Sequence, residues 1–220
     1  MLPRVVKEFS VKIEHREGIE GQAGTGRIAA FSDGVFAIAI TLLTLELKLP
    51  PTAATHQSPV DLPQVLLGLW PEFFSFVTSF LVLGLFWVVH HRIFRHIIRS
   101  DFGLLWLNLL FLMCIAFLPF PTELMAEYSR HQFSIVFYVS SMAVTGLVLA
   151  ALWFYAVKDY RLVAADIDPI LVRHYSQHAL LLPLAFLVSI GLSLVVAPIA
   201  ANLFWILIVV AYFVSPRVHD

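Results

Sequence analysis

The first feature that could support chemistry is a carboxylate inside a strongly apolar run of the chain. Asp33, with Ser32 beside it, lies in the run from 27 to 49. An ionised side chain is costly inside a lipid bilayer unless it is paired or hydrated. Amide, indole and imidazole N–H groups can donate hydrogen bonds to a carboxylate, and the candidate donors here are Trp87, His90, His91 and Asn108. We therefore expect Asp33 to join its own segment to neighbouring ones, and a titrating proton carrier is the alternative role.

A second feature is a group of histidines, His90, His91 and His96, at the end of another apolar run. Adjacent residues on a helix point about 100° apart, and no Cys or Glu with ligand spacing accompanies the pair, so we predict no metal site. Axial ligation of haem is a less favoured alternative, because these histidines lie at the edge of the run rather than at its middle. We expect His96 to lie among lipid headgroups, whereas His90 and His91 could lie there or pack between helices.

The composition indicates that these residues belong to a membrane protein. Of 220 residues, 60% are hydrophobic and 13% are charged, and the mean hydropathy is +0.86. A soluble domain cannot bury that much apolar surface. The single cysteine, Cys114, excludes a disulfide scaffold, and the formal net charge of -1 gives no basic surface for nucleic acid. No water-soluble catalytic domain remains, so we expect no enzyme activity, no catalytic residues and no cofactor.

Six segments approach the roughly 20 apolar residues that a spanning helix needs. They are 27–49, 70–90, 102–125, 133–157, 177–196 and 199–215. Pro119 and Pro121 interrupt the third segment and Pro183 interrupts the fifth. The last two segments are joined only by Ala197 and Pro198, which is typical of a tight helical hairpin. We predict an all-α integral membrane protein with six transmembrane helices per subunit.

The sequence predicts three parts of the chain, because polar residues at its two ends flank the apolar segments. Residues 1–26 form a polar N-terminal segment, residues 27–215 the six-helix transmembrane domain, and residues 216–220 a short tail. The N-terminal segment has charged residues of both signs, no apolar core and no cleavage site, so it does not fit a signal peptide. We therefore expect nothing to be removed from the chain and nothing globular to be attached to it.

Basic residues set the predicted orientation, because cytoplasmic loops carry an excess of Lys and Arg. Of the 14 Lys and Arg residues, only Lys48 and Arg130 fall on one side of the six-helix arrangement, and the others fall on the opposite side. An even number of helices with this bias places both termini in the cytoplasm. The predicted location is the inner or plasma membrane, with the chain crossing it several times.

The first predicted helix has a broad stripe on one face. At about 100° per residue, the stripe contains Arg27, Phe31, Gly34, Ile38, Thr41, Leu42 and Leu45. Ser32 and Asp33 point away from it. Ordinary packing against other helices explains such a stripe equally well, so the periodicity alone does not assign it a function.

Three motifs in the first three predicted helices resemble the endo-lysosomal potassium channel family, transmembrane protein 175. They are Arg27-x-x-x-Phe31-Ser32-Asp33, then Trp87-x-x-His90-His91, and finally Asn108 with Pro119-Phe120-x-Thr122. The resemblance covers residues 27–215, although the last three helices match only in number and hydropathy. It fits the prokaryotic branch, whose members carry one six-helix repeat and assemble as homotetramers, whereas animal members carry two repeats in one chain.

This resemblance implies a potassium-permeable cation channel whose pore is lined by the first helix of each subunit. The hydrophobic constriction of the family then falls on Ile38, with Leu42 and Leu45 one and two turns further along. The hydroxyl that favours potassium in some members falls on Thr41. The position before the constriction is Ala37, where the first repeat of the animal channel has a serine. The implied partners are other copies of the chain, the lipid bilayer, and K⁺ with other monovalent cations.

The sequence also limits how such a pore could select ions. It contains no Thr-Val-Gly-Tyr-Gly-like run, so a filter of stacked backbone carbonyls is absent. A ring of Thr41 hydroxyls and a narrow apolar ring at Ile38 would favour potassium modestly, because potassium holds its water less tightly than sodium. Closure would follow from dewetting of the apolar ring. A proton-coupled transporter or proton leak channel using Asp33 is the alternative, and for a transporter the sequence lacks the expected internal duplication. A membrane scaffold that transports nothing is a further alternative function.

Overall fold

The computed structural model describes residues 24–47, 61–128, 131–164 and 166–195, and these ranges are helical with short connections. Two short 3₁₀ segments, Leu43–Glu46 and Lys158–Tyr160, continue the first and sixth helices. The helices in chain order are α1 (24–42), α2 (Leu62–Gly68), α3 (Trp70–His96), α4 (Phe102–Phe117), α5 (Pro119–Glu127), α6 (Gln132–Val157) and α7 (Pro169–Val195).

Five of the described segments are long and apolar enough to cross a membrane. They are Gly24–Leu45, Glu72–His96, Phe102–Glu127, Gln132–Tyr160 and Pro169–Leu192. The five correspond to the first five helices predicted from the sequence, and the prediction of an all-α membrane fold is confirmed. The predicted sixth helix at 199–215, and the hairpin that would join it to the fifth, lie outside the described residues.

Prolines have different effects in the third and fifth predicted helices. A one-residue turn at Leu118 separates α4 from α5, so the predicted interruption of the third segment is correct, and α5 begins at Pro119 and continues through Pro121. Pro183, by contrast, lies inside α7, which runs through it without ending, so the predicted interruption there is wrong. Gly146 of α6 faces this proline, and a side chain at Gly146 would approach the Pro183 Cδ atom to 3.3 Å. Close packing of this kind stabilises proline-containing membrane helices.

Two helices extend past the apolar segments that predicted them. The helix α3 continues to His96, and α7 begins at Pro169 rather than at 177. Hydropathy detects only the part of a helix that lies in hydrocarbon, whereas backbone hydrogen bonding continues through polar residues at the membrane boundary. These extensions carry three of the six histidines of the described ranges, His91, His96 and His174.

The helix α6 packs against α4, α5 and α7 in the hydrophobic core. Its large side chains Tyr138 and Trp153 are fully buried. The Trp153 Nε1–H donates a hydrogen bond of 3.0 Å to Ser176 Oγ, and the Tyr138 hydroxyl lies 3.0 Å from Ser79 Oγ. Because both aromatic side chains have polar partners, they can be buried without leaving an unsatisfied N–H or O–H.

A polar junction joins the α3–α4 and α6–α7 connections. Asp101 accepts hydrogen bonds from Leu104 N at 2.8 Å and from the Tyr155 hydroxyl at 2.9 Å, and it pairs with Arg161 at 3.1 Å. Gly24, the first described residue of α1, lies beside Ser100, since a Cβ atom there would be 3.2 Å from Ser100 Oγ. The junction therefore borders this end of the described part of α1.

Candidate functional site

The two faces of α1 differ in burial. Ile28, Ser32, Phe36, Ala39 and Leu43 are buried in the chain. Their spacing of three or four residues places them on one side of the helix. The aromatic ring of Phe36 packs 5.9 Å from the rings of both His90 and Phe111, which anchors this side to α3 and α4.

A chain of three hydrogen bonds holds the buried face in place. Asn108 Nδ2 donates to Ser32 Oγ at 3.1 Å, and Ser32 Oγ donates to the Ile28 carbonyl at 2.9 Å. His90 Nε2 lies 2.9 Å from Asn108 Oδ1. Because an amide oxygen only accepts, the Nε2 atom is the donor of this bond. The chain links α1, α3 and α4 through three buried polar side chains.

Aromatic rings enclose His90. Its imidazole is almost parallel to Phe111, with 5.3 Å between the ring centroids and 7° between the planes, and it stacks on Phe94 at 4.4 Å. The residue is 1% exposed. Of the two possibilities for His90, packing between helices is therefore correct. Its Nε2 atom is already bonded to Asn108, which leaves no free Nε2 lone pair to ligate haem iron.

Asp33 has a different environment from the one expected. The Trp87 Nε1–H donates to Asp33 Oδ1 at 2.8 Å, whereas His90 bonds with Asn108, and Asn108 bonds with Ser32. The Asp33 residue is exposed on the surface of the single chain rather than buried. His91 is also exposed, and its ring stacks on the Trp87 indole at 5.5 Å. The indole is thus the donor that the sequence could not single out.

The opposite face of α1 is apolar and uncovered by the rest of the described chain. Its large side chains are Phe31, Ile38, Leu42 and Leu45, of which Ile38 is 62% and Leu45 70% exposed. Arg27 is exposed one turn before Phe31, and Ala37 is exposed beside Ile38. These residues include the stripe that the helical periodicity predicts.

Thr41 lies on this exposed face and makes a bond within its own helix. Its Oγ1 donates to the Ile38 carbonyl at 2.8 Å. The hydroxyl proton is therefore used inside the helix, and the oxygen lone pairs remain available to accept a bond or to contact a cation. Thr44, in the 3₁₀ segment that continues α1, is also exposed in the described part of this chain.

Among the described residues, no group of three or more His, Cys, Asp or Glu side chains could hold a metal ion. His96 is half-buried, with its ring 4.9 Å from Tyr175 of α7, and its place at the level of the lipid headgroups stays a prediction. The Asp101 junction was not predicted from the sequence because Asp101 is far along the chain from Tyr155 and Arg161, and both charged residues lie in connections between the apolar segments.

Comparison with known proteins relates this arrangement to ion channels. A sequence model of the endosomal/lysosomal potassium channel TMEM175 family matches residues 27–119, the range that includes α1, α3 and α4. A potassium channel of Streptomyces collinus is 38% identical over 179 residues, which are 80% of this chain and 85% of that protein. A potassium channel of Chamaesiphon minutus is 41% identical over 177 residues, which are 79% of this chain and 86% of that protein.

A solved structure is similar over nearly the whole chain. It is the crystal structure of a lysosomal potassium-selective channel TMEM175 homolog from Chamaesiphon minutus, with a TM-score of 0.75 and 35% sequence identity. The alignment covers 88% of this chain and 100% of that one. The motif residues of the first three predicted helices thus lie in a fold that this homolog shares.

Proposed function

The chain belongs to the TMEM175 family, and from this premise we propose that it is a potassium-permeable cation channel of the inner or plasma membrane. The observation that carries the proposal is the contrast on α1. One face is fixed to α3 and α4 by buried hydrogen bonds, and the other leaves apolar side chains and the Thr41 hydroxyl uncovered by the rest of the described chain. The channel uses no cofactor and catalyses no reaction.

The uncovered face of α1 supports assembly around a central axis. A single copy of the chain leaves Phe31, Ile38 and Leu45 exposed, and one helix cannot enclose a path for ions. Four copies that place this face toward a common axis form a pore lined by α1. Oligomers of this kind have closed rotational symmetry, so each copy presents the same surface to the pore.

The constriction of this pore is the ring of Ile38 side chains, continued by Leu42 and Leu45. These side chains lie one turn apart along the exposed face. A narrow apolar ring excludes water when it contracts, and an ion that cannot keep its water does not pass. The ring therefore closes the channel without a separate plug.

Thr41 provides the selective contact. Its hydroxyl proton is donated to the Ile38 carbonyl, so its oxygen presents lone pairs at the level of the constriction. Four such oxygens replace part of the hydration that a cation loses there. Potassium loses water more readily than sodium, which gives a moderate preference for potassium.

The motif residues outside the constriction have structural roles. Ser32, His90 and Asn108 hold α1 against α3 and α4, while Asp33 and Trp87 form a bond nearer the surface, with His91 stacked on the indole. Arg27 lies at the cytoplasmic mouth of the pore if both termini are cytoplasmic. The orientation follows from the distribution of Lys and Arg.

A proton pathway through Asp33 is the second candidate function. The observation that favours it is the exposure of Asp33, which leaves its carboxylate accessible from the surface of the chain. A potassium channel and a proton channel differ in the ion that carries current, so one measurement separates them.

The test is an ion-flux assay on the purified full chain in liposomes that contain a potassium gradient. We expect potassium efflux that is retained when Asp33 is replaced by Asn. Proton flux without potassium flux, abolished in Asp33→Asn, would contradict the proposal and support the proton pathway. An absorption spectrum of the same sample tests for haem.

A further inference from the structure

The connection between α3 and α4 is bonded along its length to the connection between α6 and α7. Ile97 and Val163 form an antiparallel bridge. The Leu162 carbonyl accepts hydrogen bonds from Ile98 N at 2.9 Å and from Arg99 N at 3.2 Å. Because Ile97, Leu162 and Val163 are also buried, the two connections form one packed unit.

Asp101 fastens this unit to α4 and α6, and its two carboxylate oxygens have different partners. Oδ1 accepts from Leu104 N at 2.8 Å, which caps the first turn of α4. Oδ2 accepts from the Tyr155 hydroxyl at 2.9 Å and pairs with Arg161 at 3.1 Å. The Arg161 guanidinium also lies 4.7 Å from the centre of the Tyr155 ring. The start of α4 is therefore tied to the end of α6.

Gly103 leaves room for the Tyr155 hydroxyl to reach Asp101. A side chain at Gly103 would collide with that hydroxyl. Glycine is an unfavourable residue inside a helix compared with alanine. Its presence in the first turn of α4 therefore fits the approach of Tyr155 rather than the needs of the helix itself.

The α6–α7 connection also contains two strained residues. Asp159 has φ 56° and Tyr160 has φ 53°, a left-handed conformation that side chains other than glycine disfavour. Such strain persists only where the surrounding contacts fix the backbone. Here Leu162 N donates to the Ala156 carbonyl at 3.2 Å. The connection is thus held in one conformation, and such strain is typical of segments with a mechanical role.

Two routes lead from Asp101 to α1. Asn108 follows Asp101 by about two turns of α4, and its Nδ2 donates to Ser32 of α1 at 3.1 Å. The second route is the contact of Gly24, the first described residue of α1, with Ser100, which precedes Asp101 in the chain. A shift of α4 at Asp101 would therefore reach the buried face of α1.

We propose that Asp101 is a positioning residue for the constriction on α1. By its bonds to Tyr155 and Arg161 it fixes where α4 begins, and α4 in turn holds the buried face of α1. The inference rests on the proposed function, since that function places the constriction on the opposite face. When these bonds are broken, α1 is held less firmly, the apolar ring widens and retains water, and the closed pore leaks.

The first test is Asp101→Asn in the full-length protein, recorded in planar bilayers. Asparagine caps a helix about as well as aspartate, so the start of α4 remains while the charge that pairs with Arg161 is lost. We expect open probability to rise about threefold with an unaltered elution volume. Asp166→Asn is the matched control, because Asp166 is an exposed carboxylate of the α6–α7 connection. Open probability equal to wild type in Asp101→Asn, or an equal rise in the control, would overturn the inference.

Gly103→Ala disturbs the same bonds without changing any charge. The added methyl group displaces the Tyr155 hydroxyl, whereas alanine favours the helix itself. We expect open probability to rise as in Asp101→Asn. Gly84→Ala in α3 is the control, because a side chain there meets no other part of the described chain within 4 Å. A wild-type response in Gly103→Ala would show that the approach of Tyr155 to Asp101 does not affect the constriction.

Rescue by a conservative variant separates positioning from a general loss of stability. Arg161→Gln removes the cation and should raise open probability, whereas Arg161→Lys keeps it and should return open probability toward wild type. The double variant Asp101→Asn with Arg161→Gln should be no worse than either single variant, because the two residues share one interaction. Effects that add in the double variant would show that the two residues act independently and would contradict the inference. Lys158→Gln, at an exposed cation nearby, should have no effect.

Hydrogen–deuterium exchange of α1 amides gives a measurement that does not depend on current. We expect peptides from α1 to exchange faster in Asp101→Asn than in wild type or Asp166→Asn. If the wild-type protein carries no potassium current, the proposed function fails, and exchange alone then decides whether Asp101 positions α1. Unaltered exchange of α1 in Asp101→Asn would overturn the inference even where the channel conducts potassium.

Discussion

The buried and exposed faces of α1 hold their residues under different constraints. On the buried face, the Ser32 hydroxyl accepts a hydrogen bond from Asn108 of α4 and donates one to the Ile28 carbonyl of its own helix, and Asn108 is bonded in turn to His90 of α3. On the exposed face, Ile38 and Leu45 make no comparable contacts within the described chain. The difference shows that the contacts of one face position the helix, while the opposite face stays uncovered by the described chain. Substitutions on the two faces should therefore separate assembly from conduction.

The largest effect is expected on the buried face, from Asn108→Leu. This change removes both the donor to Ser32 and the acceptor for His90. Each polar group left unsatisfied costs about 1–3 kcal/mol. We expect loss of the monodisperse assembly in size-exclusion chromatography and a lower melting temperature. Leu109→Ala on the same helix, at an exposed position, is the control and should leave assembly intact.

On the exposed face, Ile38→Asn should change conduction rather than assembly. A polar side chain at the constriction retains water, so the closed pore should leak. We expect a higher open probability in planar bilayers, with an unaltered elution volume. The matched control is Val144→Asn, an exposed apolar position on α6. Conductance and open probability equal to wild type in Ile38→Asn would contradict the assignment of the constriction.

Asp33 lies at the boundary between the two faces of α1. Its substitution therefore tests how sharply effects on assembly are separated from effects on conduction. Asp33→Ala removes the acceptor for the Trp87 indole, and Trp87→Phe removes the donor while keeping an aromatic ring. Each should lower stability by about 0.5–1.5 kcal/mol, the usual range for one hydrogen bond. We expect less assembled protein for both, and a double variant that is no worse than either alone. Normal assembly with altered proton dependence would instead favour the titrating role of Asp33.

The smallest effect is expected for Thr41→Val, which deletes one oxygen and keeps the branched shape. The hydroxyl bond to the Ile38 carbonyl is lost, but the helix keeps its backbone bonds. We expect the bi-ionic reversal potential to shift toward equal permeability for potassium and sodium. Thr44→Val is the control, since Thr44 is another exposed threonine close by. Equal shifts in both variants would place selectivity in the width of the Ile38 ring.

The sequence by itself determined the class of the protein and much of α1. Apolar segments of membrane-spanning length predict helices because backbone groups in lipid must be bonded within the segment. The 3.6-residue period predicts which α1 residues share a face, and the stripe from Phe31 to Leu45 is exposed as one surface. Both inferences are local, since they depend only on neighbours along the chain.

Only the tertiary structure decided which polar groups meet. Trp87 and Asp33 are 54 positions apart, and Asn108 and Ser32 are 76 apart. The rotation of each helix about its axis selects among several equally suitable donors, and that rotation is set by packing against other helices. The close approach of Pro183 in α7 to Gly146 is of the same kind, because the two residues belong to different helices. A sequence pattern within one segment contains no information about how its helix is rotated or about which residues of another helix come close to it.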